Sequence, residues 1–163
     1  MKIYRLHRRQ LLPIDLDTAW DYFWTPRNLE AMTPSFLRFR ITSPLPQRTY
    51  AGLIITYRIS AVAGIPMTWV TEITHVNEPH SFVDEQRIGP FRLWHHRHGF
   101  RAIDGGIEME DTVHYVMPWG WLGQLVHRSF ISRRLERIFE FRADFLTARF
   151  GTHPAAPGSV DSG

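Results

Sequence analysis

From Phe36 to Met117 hydrophobic and polar residues alternate in short runs separated by turn signals, the pattern of half-buried strands. Six such runs stand out: Phe36 to Thr42, Gly52 to Ser60, Met67 to Val76, Ser81 to Ile88, Arg92 to Ile103 and Ile107 to Met117. The breaks between them are Pro44-Leu45-Pro46, Ala63-Gly64-Ile65-Pro66, Asn77-Glu78-Pro79, Gly89-Pro90 and Asp104-Gly105, and connections this short predict an antiparallel meander. Ahead of the meander, Lys2 to Leu12 reads as a further strand that ends at Pro13. Asp15 or Asp17 then supplies an N-cap for a short helix carrying Trp20, Tyr22, Phe23 and Trp24, and Thr25-Pro26 opens a second one that runs through Met32. After Pro118 the period changes. Leu122, Leu125, Val126, Phe130, Leu135, Ile138, Phe139, Phe145 and Leu146 form a helical apolar stripe, so a helix from Leu122 to about Phe150 would be roughly 40 Å long, enough to cross the whole sheet.

Strand, two short helices, about six more strands and one long terminal helix make an α+β domain over residues 1–150. Residues 151–163 carry almost no apolar bulk and are expected to form a disordered tail. Composition narrows the chemistry. The chain of 163 residues has no cysteine, which removes disulfides, thiol nucleophiles and thiolate zinc sites, so a metal would have to rest on His, Asp and Glu. No apolar run approaches the ~20 residues that span a bilayer, and no signal-peptide core is present, so no stable membrane insertion and a cytoplasmic location are expected. The net charge of +3 comes almost entirely from arginine, but 16 acidic residues are interleaved and no basic block exceeds two residues, a pattern that argues against nucleic acid as partner. There is no Walker sequence, nucleotide fingerprint or serine nucleophile elbow.

One stretch carries more specific information: Phe82-Val83-Asp84-Glu85-Gln86, Gly89-Pro90-Phe91, Trp94-His95-His96-Arg97-His98-Gly99-Phe100, Asp111-Thr112-Val113-His114-Tyr115, Pro118 and Gly120-Trp121-Leu122-Gly123. With these motifs the chain resembles the START-like or SRPBCC superfamily, in particular an uncharacterised bacterial branch of it, over about residues 2–150. The resemblance implies a helix-grip fold like that of polyketide cyclases and the birch-allergen group: a curved antiparallel sheet of about six or seven strands around a long C-terminal helix, with a cavity between them. It also implies binding of a hydrophobic or amphipathic small molecule, such as a lipid, without identifying that molecule, and it implies no cofactor.

The last hairpin can be assigned to its faces from the residues themselves. Asp104-Gly105 is a favoured two-residue turn, so Ile103 should oppose Gly106, His98 oppose Asp111, His96 oppose Val113, Trp94 oppose Tyr115 and Phe100 oppose Met109. The apolar face of the second strand then carries one carboxylate, Asp111, beside His96 and His98. In the preceding hairpin Phe82, Asp84 and Gln86 would oppose His98, His96 and Trp94. The predicted ligand-binding set is Trp69, Asp84, Gln86, Trp94, His96, His98, Phe100, Met109, Asp111 and Tyr115.

Several readings of this cluster remain open at the level of sequence. His98 and Asp111 form a buried hydrogen-bonded pair that fixes the sheet register, with Tyr115 or Gln86 satisfying the remainder. The same groups can anchor a ligand in an apolar pocket, the reading for a carrier or sensor without enzymatic activity. A cyclase, dehydratase or isomerase acting on a carbonyl-bearing substrate would use His98 as acid or base, oriented by Asp111 and assisted by Tyr115 or His96. A metal would draw on His96, His98 and Asp111. A protein-interaction module would depend on the outer strand face and the arginine-rich helix instead.

Overall fold

The computed structural model describes residues 2–62, 64–118 and 130–155. Seven strands form one antiparallel sheet: β1 (Tyr4–Leu12), β2 (Arg40–Ile41), β3 (Ile54–Val62), β4 (Ile65–Asn77), β5 (Ser81–Ile88), β6 (Leu93–Ile103) and β7 (Gly106–Val116), in the order β1-β7-β6-β5-β4-β3-β2. The meander runs from β2 to β7, and β1 closes the far edge by pairing with β7. Between β1 and β2 lie α1 (Leu16–Phe23), α2 (Asn28–Ala31) and a single 3-10 turn, Ser35–Leu37. Asp15 caps α1 by accepting a hydrogen bond from Thr18 N at 2.7 Å. The terminal helix, α3 (Ser132–Phe150), buries Leu135, Phe139, Arg142 and Leu146, a three- and four-residue spacing that presents one face to the sheet.

Among the described residues three apolar clusters form the core. Leu12, Trp20, Phe23, Phe82, Phe100, Met109 and Leu146 pack beneath α1. Leu6, Trp94, Val113, Tyr115, Ile131, Leu135 and Phe139 pack beneath the start of α3, and Leu53, Ile55, Tyr57 and Ile73 fill the β3–β4 side. The tryptophan-rich α1 is therefore part of the core, with Trp20 stacked on Trp24 and edge-on to Phe82 and Phe100.

Three differences from the sequence expectations stand out, and one expectation falls outside the described residues. The run Phe36 to Thr42 is a strand only at Arg40–Ile41, because Ser35–Leu37 turns to bury Leu37 and Arg38 takes a left-handed conformation with φ of 47°. Ile65 and Pro66 belong to β4 rather than to the preceding turn. Residues 119–129 lie outside the described residues, and with them the expected first turns of the long helix from Leu122 and the Gly120-Trp121-Leu122-Gly123 motif. Finally, residues 151–155, expected within a tail that buries nothing, dock on the domain: His153 is buried, and its Nε2 lies 3.0 Å from the carbonyl oxygen of Asp104. Gly105 at that turn has φ of 76° and leaves room for the His153 ring, which a Cβ there would crowd at 3.3 Å.

The docking of His153 has a measurable consequence. His153→Ala should lower stability by about 1 kcal/mol in urea unfolding, the ordinary net worth of one buried hydrogen bond. An unchanged midpoint and slope would mean that the segment after Gly151 does not hold the β6–β7 turn.

Candidate functional site

Three neighbouring strands bring the site together. On β6, His96 and His98 share the concave face because they are two residues apart. Asp84 on β5 stands directly opposite His96, and Asp111 on β7 stands directly opposite His98. Each carboxylate hydrogen-bonds the histidine diagonal to it: Asp84 Oδ2 lies 2.8 Å from His98 Nε2, and Asp111 Oδ1 lies 2.9 Å from His96 Nε2. Each also stands close to the histidine it faces, with His96 Nδ1 3.3 Å from Asp84 Oδ2 and His98 Nδ1 3.0 Å from Asp111 Oδ1. The second of these is an ionic approach out of line with the ring N–H, so His98 Nδ1 has no directed hydrogen bond. The two imidazole centroids are 3.8 Å apart, and Phe82 stacks on His98 at 4.2 Å.

From above, α3 lowers a guanidinium onto this square. Arg142 is buried, its Nη1 lies 3.6 Å from Asp111 Oδ1, and its guanidinium sits over the Phe23 ring. Burial opposes every charge here, and the partners decide which survive. For Asp111, burial is overcome by Arg142 and by the two histidines beside it, which hold the carboxyl well below its ordinary range. Asp84 is likewise lowered against the effect of burial, by His96 and His98. Burial also opposes the His98 cation, but its contacts with Asp111 and Asp84 prevail and raise it. His96 moves the other way, lowered by burial and by the adjacent His98. Each direction thus has its cause inside the cluster, where two carboxylates, one guanidinium and two imidazoles act on one another.

The cluster forms part of the wall of a cavity of about 220 Å³ between the sheet and α3. Asp84, His96 and His98 border the space, as do Trp69 and Trp94, whereas Asp111 stands behind the histidines. The remaining wall is mainly apolar, with Phe39, Ile55, Ile59 and Leu135 among its residues. Besides Asp111, four predicted ligand contacts lie off the cavity wall. Phe100 and Met109 belong to the apolar cluster under α1. Tyr115 packs against Tyr4, Phe91 and Trp94, away from the cavity wall, and burial pushes its phenol up to about 12. Gln86 bridges the β5–β6 turn, donating to Phe91 O at 2.7 Å and accepting from Phe91 N, because strand pairing stops at Glu85–His95.

Sequence reasoning passed over most of the apolar wall, and among its polar groups over Arg142 and Tyr57. Arg142 had a signal: it occupies the apolar stripe of α3 between Phe139 and Leu146, where a charge needs a buried partner. Tyr57 lies on β3, and burial together with the Asp84 charge pushes its phenol up, so it presents a neutral hydroxyl.

Two predictions follow from this electrostatic balance. Arg142→Met removes one counter-charge from two buried carboxylates and should cost about 3–5 kcal/mol in urea unfolding, whereas a cost below about 1 kcal/mol would deny it that role. The histidines also set a pH dependence with opposite signs. Raised above 6.5 in the fold, His98 contributes stability that is complete below pH 6.5 and lost as pH rises through its folded value. Lowered below 6.5, His96 contributes stability that is complete above pH 6.5 and lost as pH falls through its folded value. The cluster's contribution should therefore peak near pH 6.5. Thermal unfolding of chelator-treated protein should show a His98→Gln variant losing the alkaline limb, and superimposable profiles would contradict the assignment.

No family model matches the chain, and no curated protein matches it. Solved structures do. Protein Ms6760 from Mycobacterium smegmatis superposes with a TM-score of 0.62 at 19% identity, covering 91% of this chain and 98% of that one. Major latex-like protein 151 from Panax ginseng gives 0.66 at 13% identity, covering 91% and 97%. The di-domain ARO/CYC StfQ from the steffimycin biosynthetic pathway gives 0.62 at 12% identity, covering 92% of this chain and 53% of that protein. At such identities the likeness is one of architecture, and the seven-stranded antiparallel sheet gripping a long C-terminal helix is the helix-grip fold shared by START-like and Bet v1-like proteins.

Proposed function

We propose that the protein binds a small amphipathic molecule in the cavity, with the apolar part of the ligand against Ile55, Ile59, Trp69 and Leu135 and its polar end at Asp84, His96 and His98. The observation that carries this reading is the asymmetry of the cavity wall. Most of it is hydrocarbon and aromatic, while the convergent charged groups come from adjacent strands β5 and β6, with Arg142 opposite them on α3. A pocket of this composition gains affinity from apolar burial and orientation from a few polar contacts. A purely structural core would not need a space there, because interiors otherwise pack to the density of organic crystals.

The polar end also limits what the ligand can be. Buried polar groups in a cavity wall need partners, so the polar end of the ligand should carry groups that hydrogen-bond with Asp84, His96 and His98. Tyr57, which feels the Asp84 charge, and the histidines provide donors and acceptors for such groups in the cavity wall. Membrane anchoring is not needed for this role, and among the described residues no helix is long and apolar enough to cross a bilayer.

Occupying the cavity with a side chain tests the reading. Ile59→Trp directs an indole into the space from β3 and should weaken binding of the fluorescent amphiphile 8-anilinonaphthalene-1-sulfonate at least about tenfold, with the circular dichroism spectrum unchanged. Unchanged affinity in a folded variant would place the probe elsewhere and remove the cavity as the binding site.

A further inference from the structure

We propose that Asp84, His96 and His98 form a binding site for a divalent first-row transition-metal ion such as Zn²⁺ or Co²⁺, with Asp111 as the outer carboxylate that orients both imidazoles. One ligand atom from each of the three residues lies within 4.8 Å of the others, and all three border the cavity. The arrangement of the ring nitrogens is more telling than their proximity. His96 Nδ1 and His98 Nε2 converge on a single atom, Asp84 Oδ2, at 3.3 and 2.8 Å. The other nitrogen of each ring, His96 Nε2 and His98 Nδ1, lies 2.9 and 3.0 Å from a single oxygen of Asp111. Both rings thus turn one nitrogen towards the cavity-side carboxylate and the other towards the buried one.

That division is the one a metal site requires. A ligating histidine presents a bare nitrogen to the ion and donates its other N–H to a carboxylate, which fixes the tautomer and raises the basicity of the ligand. Asp111 has this hydrogen bond with His96 Nε2 at 2.9 Å, stands 3.0 Å from His98 Nδ1 out of line with its ring N–H, and has the Arg142 guanidinium of α3 beside it. With metal–ligand distances of about 2.0–2.2 Å, an ion between the two nitrogens and Asp84 would require the carboxylate to withdraw on the order of 1 Å. The cavity gives it that room, because the Asp84 side chain keeps 17% of its exposure while that of Asp111 keeps 3%. Two imidazoles and one carboxylate suit borderline ions better than Mg²⁺ or Ca²⁺, which prefer oxygen, and there is no thiolate to select a softer one. The site keeps its cavity side open, and it stands whether or not the cavity carries a ligand.

The test uses the full chain, stripped with chelator and titrated with Co²⁺ while calorimetry and visible d–d absorption are followed. The expected result is one ion per chain at roughly micromolar Kd or tighter. Saturable binding should be lost in Asp84→Asn and His98→Gln, and weakened about 10–100-fold in Asp111→Asn with the absorption band retained. Wild-type protein that shows no saturable one-to-one binding overturns the site outright, independently of how any variant folds. Binding that survives unchanged in folded Asp84→Asn overturns it as well, by placing the ion elsewhere, and Asp111→Asn with wild-type affinity removes the role given to the outer carboxylate.

Discussion

Everything in the centre of this molecule depends on the requirement that charges removed from water be balanced where they stand. Asp84, Asp111, His96, His98 and Arg142 meet between the sheet and its terminal helix, and an unpaired ion there would cost several kcal/mol. The balance is reached by geometry rather than by number of partners. Diagonal hydrogen bonds cross the β5–β6 and β6–β7 ladders, so the histidines and carboxylates interlock across three strands. A slip of one residue in either ladder would send one set of these groups to the opposite face, so the cluster also specifies the register.

The cavity and the cluster depend on one another. Core clusters pack beneath α1, beneath the start of α3 and along β3–β4. The space between them borders the charged groups, which cannot be covered tightly by hydrocarbon without losing polar partners. Phe82 stacked on His98, and Phe139 edge-on to His96 at 5.8 Å, hold the imidazole planes without supplying hydrogen bonds. The rings are therefore fixed in orientation while the cavity side remains open.

Much of this was legible in the sequence, for identifiable reasons. Asp104-Gly105 dictates a tight turn, and from it the pairings of His98 with Asp111 and Trp94 with Tyr115 follow by counting, as the structure has them. The preceding turn placed Asp84 opposite His96 in the same way, but counting could not show that pairing ends at Glu85 or that Gln86 folds back on Phe91. Nor could alternation along a strand separate residues that line a space from residues that fill a core, which is why Phe100 and Met109 were placed at the cavity. Those two positions share a face with the histidines and differ only in what α1 lays over them. Arg142 was missed because a stripe counted only in apolar residues skips the charge that completes it.

That arginine ties two parts of the protein that are far apart in the chain. Because Arg142 rides on α3 and its partner Asp111 is fixed in the sheet, lifting the helix to widen the cavity would separate a cation from the anion that neutralises it. The terminal helix and the sheet are therefore joined by charge as well as by apolar packing, and the cation that completes the buried cluster is supplied by the last element of the fold.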